Sequence, residues 1–175
     1  MKKIVYCGQF MDFSGYGIAA RKYLEILDMV AENNNIDLKI YTALSPFAPP
    51  NLEPFSEKEQ KLINKYSFTD DTSLKRFIDN NDYECIWHMP TPMALFADDR
   101  FKTPSNILEP ALLKIIKASR RNHHLVVWET TDISTEWKEC IEWFKPHSII
   151  TACEMNEKMY SNYCDNVLLA PHPIF

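Results

Sequence analysis

The sequence predicts an α/β protein, a single Rossmann-like domain with a parallel sheet and helices on both faces. Short, continuously apolar runs alternate with amphipathic ones along all 175 residues, and parallel strands need crossover helices of that kind. The three glycines, Gly8, Gly15 and Gly17, all fall at the first strand-to-helix junction. No repeat, low-complexity segment or linker divides the chain.

"KKIVYC" reads as a buried strand, and Tyr16, Ala19, Ala20, Tyr23, Leu24, Leu27, Val30 and Ala31 recur at helical spacing after the glycines. The asparagines of "AENNNID" end that helix, and "IDLKIYTA" is the second strand. "LSPFAPPNLEPF" holds four of the eleven prolines and reads as a surface loop. Helices follow around "SEKEQKLINKY" and "DDTSLKRFIDNN", then the strand "YECIWH". After the loop "MPTPMALFADDRFKTPSN", Leu108, Ala111, Leu112, Ile115 and Ile116 mark a helix face. "HLVVWE" is a strand, "STEWKECIEWF" a helix with Trp137, Cys140, Ile141 and Phe144 inward, and "HSIITA" a strand. "EMNEKMYSNYC" and "NVLLAP" supply the last helix and strand before "PHPIF".

A hydrophobic fraction of 46% with 25% charged residues is that of an ordered globular chain. No run approaches the ~20 apolar residues of a membrane span, and "MKKIVYCG" lacks a signal peptide's apolar region, so a cytoplasmic location is expected. Five cysteines without a C-x-x-C pair point to reduced thiols, with Cys7, Cys85 and Cys140 as small buried hydrophobes. The net charge of −5 argues against broad nucleic-acid binding. One cationic group stands apart: Lys114, Lys117, Arg120, Arg121, His123 and His124, read either as cations at a helix C-terminus or as an anion-docking patch.

In parallel sheets ligands gather at the carboxyl ends of the strands. Ser14 is placed to cap the helix, and Gly15, Tyr16 and Gly17 bring backbone N–H groups to its positive end. A tight turn accounts for the glycines equally well, since the spacing matches neither G-x-G-x-x-G nor a Walker motif. Arg21 reaches either a ligand there or Glu25, one turn on. His88 ends a strand, either as a structural histidine or as the one candidate for hydrogen-bonding or acid–base work. Glu129 and Thr130 end another, to bind something polar or to tie the turn at Asp132 and Ser134. No G-x-S-x-G elbow and no metal-ligand spacing occurs, "RRNHH" being too closely set.

Two segments carry a family resemblance. "SGYGIAARKYLEIL" resembles the glycine-rich first loop and helix of glycosyltransferases with the two-domain GT-B fold, notably the family 4 enzymes, also called group 1. "VVWETTDISTEWKECIEWFKPHSIITACEMNEKMYSNYCDNVLLAPHPIF" is similar to the end of that family's N-terminal domain, from a W-E-T-like strand end to a P-H-G-V-D-like hinge. Cys153 stands where relatives commonly have serine, and "PHPIF" has proline where they usually have glycine.

The resemblance implies an acceptor-side domain in which Gly15, Tyr16, Gly17 and Arg21 border an interdomain cleft. It further implies that His88 faces the transferred sugar, that Glu129 and Thr130 lie on the acceptor side, and that His172 begins the hinge. The donor substrate would be a nucleotide-sugar, with no firmly bound cofactor and no metal, and the acceptor a glycan, lipid or protein. Most donor contacts would come from a C-terminal domain or partner chain outside residues 1–175, leaving this domain inactive alone. A non-catalytic glycan-binding or regulatory module is the alternative, and an apolar face at "PHPIF" would favour a homo-oligomer.

Overall fold

The computed structural model describes residues 1–42, 47–49, 51–90, 110–126 and 132–171. Its elements are β1 (Lys2–Gly8), α1 (Gly15–Asn34), β2 (Ile36–Thr42), α2 (Glu57–Tyr66), α3 (Asp71–Ile78), β3 (Tyr83–His88), α4 (Pro110–Ala118), β4 (Arg121–Val126), α5 (Thr135–Phe144), β5 (Ser148–Thr151), α6 (Glu154–Tyr160) and β6 (Val167–Leu169). The six strands form one parallel sheet in the order β2-β1-β3-β4-β5-β6. This is the α/β, Rossmann-like architecture expected of the alternating pattern.

Local chemistry sets the boundaries. Asn35 ends α1 in the left-handed conformation at φ 52°, with its N–H on the Ala31 carbonyl, which is why the asparagine run stops the helix there. α2 starts on a reciprocal cap between Ser56 and Glu59, and α3 on one between Asp70 and Ser73.

Side-chain alternation divides the core. Ile4, Tyr6, Leu38, Ile40 and Leu125 pack on one face, under α1 and α2. Val5, Cys7, Cys85 and Trp87 point the other way, into Phe77 of α3, Ile115 and Ile116 of α4, and Cys140 and Phe144 of α5. Ile149 meets Met159 and Tyr160 of α6 on that same second face. Among the described residues, no helix is long and apolar enough to cross a membrane.

Three expectations change. β4 begins at Arg121, three residues before the strand expected from His124, so Arg121 and His123 are strand residues and not cations on a helix end. The reason lies opposite them: buried Glu84 of β3 accepts from Arg120 at 2.8 Å and sits 3.5 Å from His123, while His124 packs edge-on against Trp87 and Phe144. α6 stops at Tyr160, where the N–H groups of Tyr163 and Cys164 turn back to its carbonyl. The expected helix face at Leu108 lies outside the described residues, and α4 begins at Pro110.

Candidate functional site

The sheet order reverses beside β1: the chain leaves β1 toward β2, then returns to place β3 on the other side. That switch point, at the carboxyl ends of β1 and β3, is where open α/β sheets form their ligand crevice. Its rim is the turn Gln9–Ser14, the N-terminus of α1, and Met89 after β3.

Gly17 is buried, and a side chain there would collide with the Asp12 backbone; its Cβ would already lie 3.0 Å from the Asp12 Cα. Gly17 is therefore glycine because the helix is pressed against the turn. Gly15 differs, since a Cβ there would meet nothing within 4 Å. Neither glycine has positive φ. Of the two readings left open by the spacing, the turn accounts for Gly17, while Gly15 leaves space at the helix end.

Ser14 occupies the N-cap position, but its side chain makes no cap hydrogen bond, in contrast to the expected role. Its hydroxyl instead donates to Asp12 at 2.6 Å and its N–H to the other Asp12 oxygen at 2.8 Å. These donors, together with the Arg21 charge, hold the exposed Asp12 carboxyl below its ordinary range. Asp12 was not a sequence candidate; an Asp two residues before a helix-initiating Ser is the signal that marks such a turn. Among the described residues, the N–H groups of Gly15, Tyr16 and Gly17 have no acceptor, so donors remain at the positive end of a 20-residue helix.

Arg21 turns inward and is only 5% exposed. It donates to the carbonyls of Phe10 (2.7 Å) and Asp12 (2.8 Å) and to Glu59 of α2 (2.7 Å). Glu25 pairs with Lys22 and Lys58 instead. Arg21 thus holds the turn in place and borders the crevice from beneath. Its guanidinium lies 4.9 Å from the Phe55 ring centroid, and Phe13 stacks on Phe55 at 5.0 Å with planes 4° apart. Phe13 is 61% exposed, and Tyr16 on the next turn is exposed as well. Composition alone could not single out Phe13, because its support, Phe55, is distant in sequence.

His88 ends β3 as expected, and it is buried. Its ring lies 5.9 Å from that of Tyr23 and 6.3 Å from that of Tyr6, under α1 about two turns beyond the glycines. Met89 follows at φ 49°, a left-handed conformation uncommon for a long side chain, with its N–H on the Leu125 carbonyl at 2.8 Å. The chain therefore bends sharply where β3 meets the crevice. Glu129, Thr130 and His172 lie outside the described residues. Among those described, no three His, Cys, Asp or Glu side chains are grouped to hold a metal ion.

The arrangement offers backbone donors at a helix N-terminus beside exposed aromatic faces. It can accept hydroxyl or anionic oxygens and stack apolar ring faces. Compared with protein families, with curated proteins and with solved structures, the chain gives no match.

Proposed function

We propose that this chain is the acceptor-side half of a sugar-transferring enzyme of the GT-B type, binding a glycan at the β1–β3 crevice. The observation that carries the reading is the open first turn of α1, with exposed Phe13 and Tyr16 beside donors that lack acceptors among the described residues. Sugars present hydroxyls at their edges and apolar C–H surfaces on their faces, and both kinds of partner are supplied there. The nucleotide-sugar and its leaving diphosphate would be held chiefly by a second domain or partner chain. Transfer depends on positioning both substrates and stabilising developing charge in a closed site, so half a cleft supports binding without turnover.

A glycan-binding module without catalysis draws support from Arg21, whose Nε and Nη1 donate to Glu59 and to the protein's own carbonyls. Isotope-labelled protein titrated with oligosaccharides and with nucleotide-sugars separates these outcomes. Shifts confined to residues 13–17 with an oligosaccharide, lost in Phe13→Ala and Gly15→Val, are the expected result. Hydrolysis of a nucleotide-sugar by the isolated chain would overturn the need for a second half. Absence of any shift would remove the glycan reading itself.

A further inference from the structure

We propose that Asp12 sets the charge of the ligand at Phe13: the site takes a neutral hexose unit and turns away uronates and other anionic sugars. This rests on the reading that a glycan binds at the first turn of α1, and it adds which class of glycan is bound there.

Asp12 and Phe13 are adjacent in the chain, both are exposed, and the fold holds each in place. The Phe13 ring lies flat on buried Phe55, with centroids 5.0 Å apart and planes 4° from parallel. Ser14 fixes the Asp12 carboxylate, its N–H reaching one oxygen at 2.8 Å and its hydroxyl the other at 2.6 Å. From beneath, the Arg21 guanidinium donates to the Asp12 carbonyl at 2.8 Å and comes within 5.9 Å of the Phe13 ring centroid. A free surface side chain loses rotamer freedom when a ligand orders it, and these two have already given that freedom up.

Their chemistry suits a sugar. The aromatic face takes the apolar C–H face of a pyranose ring, and the carboxylate accepts from a hydroxyl at its edge. Asp12 keeps room for that hydroxyl. Ser14 supplies two donors and the Phe13 N–H a third, whereas an ionised carboxylate has about four lone-pair sites.

Charge then separates one glycan from another. The Ser14 donors and the Arg21 charge keep Asp12 ionised at neutral pH. Arg21 does not cancel that charge toward a ligand, because it is only 5% exposed and pairs with Glu59 at 2.7 Å. From Gln9 to Ala20, and at Met89 across the rim, Asp12 is the only charged side chain. The positive end of α1 offsets about half a charge, so a second carboxylate or a phosphate beside Asp12 still meets net repulsion. A hydroxyl in the same place meets an acceptor.

The test titrates the isotope-labelled chain with oligosaccharides of glucose, of galactose and of mannose, each beside its C6-oxidised uronate form. The neutral member of the pair that binds should do so about fivefold tighter at low salt, and the gap should narrow as salt screens the carboxylates. Asp12→Asn keeps an acceptor for the Ser14 N–H and should bring the pair to within about twofold of each other. Phe13→Ala should weaken both members alike. Equal or tighter binding of the uronate by the wild-type chain would overturn the selectivity and leave the glycan reading standing, whereas binding of no sugar would end both. A preference that survives Asp12→Asn would remove Asp12 as its source. If that variant unfolds on melting, salt decides the matter: a wild-type preference that salt leaves untouched does not come from the Asp12 charge, and the proposal falls.

Discussion

The backbone of Asp12 occupies the space a side chain at Gly17 would need. Gly17→Ala should therefore force the turn away from α1 and cost about 1–3 kcal/mol, the usual range for overpacking. Gly15→Ala, facing open space, should change stability by no more than about 0.5 kcal/mol. Thermal unfolding of the two variants side by side measures the contrast, and equal losses would contradict the close approach.

Arg21 links three segments through one guanidinium: the turn after β1, α1 and α2. Arg21→Ala leaves Glu59 and two carbonyls without that donor and should destabilise by about 3 kcal/mol, as when one partner of a buried pair is removed. Arg21→Lys should recover little, because an ammonium cannot span the same three acceptors. Urea unfolding of both variants is the measurement, and full recovery by lysine would show that charge alone suffices.

Acid should unfold the chain in two stages. Burial, and secondarily the charge of His123, push His124 from 6.5 down to about 3. The unfolded chain thus takes up a proton near pH 6.5 that the folded chain refuses. The stability this provides is complete above pH 6.5 and declines below it, by about 1.4 kcal/mol per pH unit for one group. His123 is also shifted downward, by burial against the opposing pull of Glu84, and acts in the same direction. For Glu84, burial pushes the carboxyl up, but Lys2 and Arg120 outweigh it and hold it at about 2. Its contribution is present above about pH 4.5 and lost as pH falls toward 2. Melting temperatures from pH 7 to 4 should fall less steeply for His124→Phe than for wild type over the whole range below 6.5, because the His124 contribution is lost continuously down to about pH 3. Parallel curves throughout would remove His124 from the account.

The thiols should separate by accessibility. Cys153 is exposed and Cys164 half-buried, whereas Cys7, Cys85 and Cys140 are buried, and burial pushes the Cys140 thiol up to about 12. A disulfide reagent should modify Cys153 fast, Cys164 more slowly, and the other three only after denaturation. Rapid reaction of Cys7 or Cys85 in the native chain would contradict their place between β1 and β3.

Periodicity made the fold legible because each element carries its own pattern: continuous apolar runs for strands, and i, i+3, i+4 spacing for helices such as Tyr16 to Ala31. The junction at Gly15 and Gly17 was legible as a location but not as a role, since only the folded turn brings Asp12 against Gly17. Arg21 shows the limit plainly. Its near neighbour Glu25 was the visible partner, and the actual one, Glu59, is 38 residues away. Likewise, "RRNHH" reads as a helix end until Glu84 on the adjacent strand supplies the countercharge.

The strand order also bears on how the chain is made. β1 gains β2 as its first neighbour within about forty residues of its own synthesis, but its other edge stays open until Tyr83–His88 emerges. With translation at about 5–20 residues per second, that interval lasts a few seconds, longer than a hairpin or helix takes to form. "KIVYC" must therefore wait as a bare apolar strand beside α1, and α1 is the element able to shield one of its faces meanwhile. Variants that loosen α1, Gly17→Ala and Arg21→Ala among them, would then lower the yield of folded protein in cells by more than their equilibrium stability suggests.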